Sequence, residues 1–338
     1  MQLKLQVANA LTLILLILGC RLDHSELRDR CVKAEKSGID FLAANQQASG
    51  AFPTQRWVTM NPGKTTSFDT PFTAAQVLYS LTFCDSAKAR ETEERAARYL
   101  QAEQEPPGVW RYLGKDSSYS ADVDDTALAW AALKRLGQSI PPEVLGVVRE
   151  SKNEAGLFNT WIGDPSTWFG LQSADKEIDG VTNVNVLLFF GLASENIDAA
   201  CNYVLMEVES GRFQRGTVYY LSPLAFTFAF SRAYAEGSVT CLQKAVSKVR
   251  TATLELQQEN GGWGDDFETA AGLLILINLG GKGETIERGV KNLLARQMSD
   301  GGWALNALYR GAANPVRFGS RAHTTALCVE VLAKYLGQ

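Results

Sequence analysis

The stretch SYSADVDDTALAWAAL, residues 118–133, puts Asp122, Asp124 and Asp125 within four positions, just ahead of a run that reads as a buried helix. A helix start leaves free N–H groups, and one acidic side chain is enough to accept from them; Asp125, before Thr126, can do so. The other two acids exceed that need. A lone carboxyl with a pKa near 4 is ionised at neutral pH and has no proton to give. Burial and a neighbouring carboxylate each disfavour the ionised form and together raise a pKa by roughly 3–5 units. The helix dipole opposes them by only ~0.3–1 kcal/mol. In an apolar setting the cluster is therefore a Brønsted acid that titrates as a unit. In an open setting it is three caps and solvated loop acids.

The setting follows from an internal repeat. Six glycine-aromatic turns recur every 40 to 58 residues: ANQQASGAF (44–52), QAEQEPPGVW (101–110), SKNEAGLF (151–158), MEVESGRF (206–213), QQENGGW (257–263) and RQMSDGGW (296–303). Each follows an amphipathic segment such as ETEERAARYLQAEQ or GETIERGVKNLLARQ, with apolar residues at helical spacing. Each precedes a segment that is apolar nearly all round, among them TALAWAALKRLG, VTNVNVLLFFGLAS and ETAAGLLILINLGG. A helix apolar on every face has to be buried on every face. One polar-faced helix alternating with one buried helix, six times, predicts an all-α (α/α)6 barrel of six hairpins over residues 28–338, as a single domain.

The links from outer to inner helix share one rim. They are short in hairpins 4 and 5 and long in hairpins 1 (53–68), 2 (111–122), 3 (159–178) and 6 (304–321). Hairpins 6, 1, 2 and 3 are neighbours around a ring, so the long loops converge on one arc that contains the aspartates and are expected to cover the barrel mouth. The other inner helices begin near Asp69-Thr70, Asp179 to Thr182, Ser222-Pro223, Glu268-Thr269 and His323-Thr324. Aromatic residues on this rim (Trp57, Phe68, Tyr119, Trp161, Trp168, Phe169, Tyr219, Tyr220 and Phe267) are candidates to line an apolar cavity, with Asp69, Asp179 and His323 beside them.

The segment DVDDTALAWAALKRLG resembles the DxDD segment of class II terpene cyclases, the squalene–hopene and copalyl-type enzymes; QQENGGWGDD and QMSDGGWAL resemble their QW repeats, over the whole barrel. The resemblance implies acid-initiated cyclisation of an isoprenoid alkene or epoxide, with Asp124 the proton donor and Asp122 and Asp125 its orienting partners. It also implies a hydrophobic substrate and no cofactor, magnesium entering only with a prenyl diphosphate. The glutamine and tryptophan of the turns have a structural role. The family's familiar members set the site between two barrels, so rim loops, or a homodimer, are expected to close it here. No class I DDxxD segment is present; Asp265-Asp266-Phe267-Glu268 is off by one residue.

The N-terminus reads separately. Residues 1–20 hold an uncharged stretch from Val7 to Leu18, short for a bilayer span but suited to a signal core, and ILGC resembles a bacterial lipoprotein box with Cys20 lipidated. Membrane association is expected, as an exported lipoprotein or at the cytoplasmic face; the alternative is a helix docked on the barrel. The other cysteines, 31, 84, 201, 241 and 328, are odd in number and form no CxxC pair, so no disulfide framework is expected. A net charge of −4 with no Lys/Arg run excludes nucleic acid as a partner.

Three rival readings remain. His323 in AHTTALC resembles a ligand position of protein prenyltransferase β-subunits, but that zinc site needs a DxC pair and the chain has none. An (α/α)6 glycosidase or lyase could use Asp69, Asp124, Asp179 and Glu268, though the inner helices are apolar for a sugar groove. A non-catalytic isoprenoid-binding toroid or anchored scaffold leaves the third aspartate unexplained.

Overall fold

The computed structural model describes residues 25–58, 61–163, 178–215, 217–311 and 315–338. Six inner helices are α2 (Pro71–Leu81), α4 (Val123–Arg135), α6 (Gly180–Leu192), α8 (Pro223–Glu236), α10 (Asp266–Asn278) and α12 (Arg321–Leu336). They touch in the order α2, α4, α6, α8, α10, α12 and back to α2, which closes the ring. The outer helices are α1 (25–45), α3 (Ala87–Glu103), α5 (Pro142–Glu150), α7 (Asp198–Ser210), α9 (Val246–Glu255) and α11 (Glu284–Ala295). The contrast in patterning is the cause: α6 is buried from Gly180 to Phe190, whereas α11 buries only Ile286, Gly289, Val290 and Leu293. The architecture is the (α/α)6 barrel expected from the repeat.

The turns hold the rings together. Gln257 Nε2 donates to the carbonyl of Gly261 in its own turn (2.8 Å) and to that of Thr285 on α11 (3.0 Å). Gln297 does the same to Gly301 (2.8 Å) and to Ala34 on α1 (2.9 Å), joining the last hairpin to the first. The indoles of Trp110, Trp263 and Trp303 donate to the carbonyls of Leu100, Thr253 and Leu293 at 2.7–2.9 Å, each ten residues back. Gly301 has φ +87°, and a Cβ there would lie 2.3 Å from the Ser37 carbonyl oxygen, so the turn needs glycine.

Two expectations need correction. The long links of hairpins 1 and 6 are not merely loops: β1 (Pro53–Val58), β2 (Asn61–Asp69), β3 (Tyr309–Arg310) and β4 (Val316–Gly319) form an antiparallel sheet in the order β2-β1-β4-β3. PTQRWV carries no apolar stripe at helical spacing, and within it only Thr54 is buried. The sheet spans the seam where α12 meets α2. Second, Cys201 and Cys241 form a disulfide, their Cα atoms 6.5 Å apart, because α7 packs on the 3-10 turn Thr240–Ala245. An odd count did not preclude one pair: Cys31, Cys84 and Cys328 stay single and buried. Cys20 and the apolar stretch before it lie outside the described residues. Among those described, no helix is long and apolar enough to cross a membrane.

Candidate active site

The three aspartates have separate roles. Asp122, not Asp125, is the cap of α4: its Oδ1 accepts from the amides of Asp124 (2.6 Å) and Asp125 (3.1 Å). A capping side chain reaches two or three residues forward, so the first acid of the run takes the job. Its own backbone is held by the Trp110 carbonyl (2.8 Å), while Val123 donates to Thr160 and Ile162 donates to Ala121. Links 2 and 3 thereby clamp the helix start. α10 follows the same rule, capped by Asp265 in a capping box with Glu268 rather than beginning at Glu268.

Asp124 and Asp125 are left as the surplus, both buried. Burial pushes the Asp124 carboxyl up to about 6; hydrogen bonds from Tyr220 and Asn185 pull it back, and the charge of Asp179 adds to the rise. Asn185 Nδ2 on α6 donates to Asp124 Oδ1 at 2.7 Å, and the Tyr220 hydroxyl donates to Oδ2. Burial, then the charges of Asp122 and Asp124, hold Asp125 far above the usual carboxylate range. Its Oδ2 has no hydrogen-bond partner. Asp179 caps α6, accepting from Val181 (2.7 Å) and Thr182 (3.3 Å), and its Oδ2 accepts from the Tyr219 amide (3.1 Å). That contact sets the loop carrying Tyr220.

Asp122, Asp124 and Asp125 form one wall of a cavity whose other walls are Phe72, Tyr112, Trp161, Tyr219, Tyr220, Tyr309 and Phe318. The rings interlock: Phe72 with Tyr309 at 5.3 Å, Tyr112 with Tyr309 at 5.8 Å, and Tyr309 stacked on Phe318 at 5.5 Å. The Tyr112 hydroxyl bonds that of Tyr309 at 3.0 Å, and the Trp161 indole donates to the Tyr219 hydroxyl at 3.2 Å. The open space is about 60 Å³, room for a few waters.

Of the residues singled out from sequence, Trp161, Tyr219 and Tyr220 line this cavity and Asp179 supports it. Phe68 packs edge-on to Tyr112 and Phe318, one layer behind the wall. Trp57 pairs with Arg317 in the sheet and Asp69 accepts from Gln47 (2.7 Å); neither lines the cavity. Tyr119 lies outside it, 37% exposed. Neither Phe267 nor His323 lines the cavity: His323 packs edge-on behind Phe72 of its wall (ring centroids 6.0 Å), and Phe267 packs on His323 (6.1 Å). Burial pushes the His323 imidazole down to about 3, so it is neutral. Trp168 and Phe169 lie outside the described residues. Among the described residues no group of three or more His, Cys, Asp or Glu is placed to hold a metal ion.

Sequence reasoning missed Asn185, Phe72, Tyr112, Tyr309 and Phe318. Asn185 left a signal: with Asn183 it is a polar side chain in a helix otherwise apolar all round. Asn183 has a local job, bridging the Phe158 backbone, which leaves Asn185 for Asp124. Tyr309 and Phe318 belong to the hairpin 6 link, whose length was evident but whose fold over the mouth depends on pairing with β1.

The fold is that of the terpene-cyclase and (α/α)6 toroids. A variant of the type II terpene cyclase MstE from Scytonema, in complex with its substrate geranylgeranyl dihydroxybenzoate, superposes with a TM-score of 0.75 and 16% identity over 93% of this chain and 99% of that one. ent-Copalyl diphosphate synthase from Streptomyces platensis matches at 0.58 and 20% identity, over 78% of this chain and 50% of that one. A possible member of the GH105 family from Salmonella enterica matches at 0.59 and 12%, over 92% and 94%. At such identities the likeness establishes the fold. No family model matches the chain and no curated protein sequence does either.

Proposed function

We propose that this protein is an acid-initiated, class II-type terpene cyclase in which Asp124 protonates an isoprenoid alkene or epoxide. The observation that carries the reading is the asymmetry between the two buried carboxyls. When Asp124 gives up its proton, Asn185 and Tyr220 already point N–H and O–H at the carboxylate that forms, which is preorganised stabilisation of the developing charge. A carboxyl has about four lone-pair positions. Two are taken by these donors, and the proton to be transferred occupies a remaining one. Asp125 Oδ2 has no donor to receive a charge, so Asp125 stays neutral and spares Asp124 a second neighbouring anion.

The aromatic wall supplies the second requirement, attraction for a carbocation without a nucleophile that captures it. A second barrel is not needed on this reading: the barrel spans 99% of the MstE chain, itself a type II terpene cyclase. About 60 Å³ is far below the ~300 Å³ of small-molecule sites, so substrate binds by pushing apart the aromatic side chains of the wall. Association with a membrane, the source of such substrates, and lipidation of Cys20 belong to this proposal.

The test is incubation of wild type and Asp124→Asn with squalene, oxidosqualene, C15–C20 prenyl diphosphates and a geranylgeranylated hydroxybenzoate, with mass-spectrometric analysis. Cyclised product from wild type alone is expected. A blank from both proteins, with a polyprenyl lipid bound to each, makes the protein an isoprenoid binder instead.

A further inference from the structure

We infer that the substrate is an amphiphile whose prenyl chain occupies the acid cavity and whose carboxylate head is held by Arg310 at the divide with a neighbouring cleft. The inference rests on the proposed function and names its substrate class. Among the described residues Arg310 is the one basic side chain in the cavity wall, and it also lines the adjoining cleft, about 370 Å³, with Tyr203, Glu207, Phe213 and Thr217. That volume lies within the ~300–1,000 Å³ of small-molecule sites.

The guanidinium is aimed by the loop beneath it. The Arg310 amide donates to the Tyr219 carbonyl (2.9 Å), Nε to Val218 (3.1 Å) and Nη2 to Thr217 (3.2 Å). A guanidinium has five N–H donors in a fixed fork. With one on Nε and one on Nη2 engaged, both of Nη1 and one of Nη2 remain, the edge that takes a carboxylate through two parallel bonds. Because the fork is already oriented, binding costs little side-chain freedom. Glu207, the acid that shares the cleft, is bonded by Arg212 at 2.9 and 2.7 Å and leaves Arg310 uncompensated.

The charge balance selects the head. One fixed cation matches one negative charge. A diphosphate brings more, and the other ionisable side chains of the cavity wall, tyrosines and three aspartates, supply no further positive charge. The Arg310 backbone amide donates to the Tyr219 carbonyl and the hydroxyl of the adjacent Tyr220 donates to Asp124, so head site and acid are set by the same loop. The chain must fold back to bring its far alkene to Asp124, which is the shape that cyclisation needs.

The experiment measures binding in the Asp124→Asn protein, by tryptophan fluorescence, so that turnover plays no part. The probes are geranylgeranoic acid, geranylgeraniol, and geranylgeranyl diphosphate with and without magnesium. The acid is expected to bind tightest. Arg310→Gln should weaken it about tenfold or more while the alcohol changes by less than about twofold, and Arg310→Lys should fall between. An equal loss for acid and alcohol overturns the inference, because Arg310 then only braces its loop. Tighter, magnesium-dependent binding of the diphosphate overturns it in favour of a diphosphate head. Failure of all three probes to bind removes the proposed function as well.

Discussion

The barrel buries carboxyl groups at both ends of its inner helices and treats them in opposite ways. At the C-terminal end Glu330 is fully buried, yet its oxygens meet Lys334 (3.1 Å), Arg232 (3.0 Å) and the Ser80 hydroxyl (2.8 Å). Burial alone would raise its pKa; Lys334, Arg232 and Ser80 together outweigh that, and the carboxyl sits below its usual range. Glu236 nearby is matched by Lys334, Arg135 and the Tyr79 hydroxyl. At the N-terminal rim Asp124 and Asp125 are as deeply buried, and their neighbours are two neutral donors and other aspartates. Partners, rather than burial, decide whether a buried acid keeps its proton. One end is a neutralised ionic plug and the other is an acid.

The largest effect that could break this contrast is kinetic. Asp124→Asn keeps the size of the side chain and removes its proton, so turnover should fall by about 10²–10⁴-fold or more, with product formation as the measure. Asp125→Asn should cost less. The reverse order would make Asp125 the donor.

Next is the plug. Glu330→Gln leaves Arg232 buried without its anion, and urea unfolding should show a loss of about 3–5 kcal/mol, as for other buried pairs broken on one side. A loss of under about 1 kcal/mol would mean that the cations relax to solvent and the contrast is weaker than drawn.

The two ends should also answer pH with opposite sign. Asp124 is raised, so the folded state binds more protons than the unfolded state between its usual value of 3.8 and about 6. Stability from this group is present at acid pH and lost as pH rises through about 6, which costs on the order of 3 kcal/mol at neutral pH. Asp124→Asn should therefore melt higher than wild type at pH 8, with the difference closing toward pH 4. Glu330 is lowered, so its contribution is present above the usual glutamate value and is lost as pH falls below it. A melting curve for Asp124→Asn that tracks wild type at every pH would show that the rim carboxyl titrates at its ordinary value.

The smallest effect sharpens the assignment of Asn185 and Tyr220. Tyr220→Phe removes one of the two donors that pull Asp124 down. The loss of activity as pH rises should shift to higher pH, and the rate at low pH should drop by roughly tenfold, one hydrogen bond to a charged group. An unchanged pH profile would assign Tyr220 to packing alone.

Much of this molecule was legible in its residues because the relevant patterns are local. An apolar stripe recurs within one helix, so the alternation of amphipathic and fully apolar segments determined the two rings. The link lengths marked the side of the rim that carries Tyr112, Trp161, Tyr309 and Phe318, but not the hairpin 4 link, read as short, which brings Tyr219 and Tyr220. The excess of acids before α4 was visible in four positions of chain. What the tertiary structure decided is everything that depends on a partner from elsewhere in the chain. Asp122 took the cap because the helix begins one residue after it. Asp124 gained its donors from α6 and from the link before α8, 61 and 96 residues away. Tyr309 and Phe318 reached the cavity because β4 paired with β1 across the seam of the ring. Protonation of a buried acid is set by electrostatic neighbours within a few ångströms, and only the closed barrel brings those neighbours together.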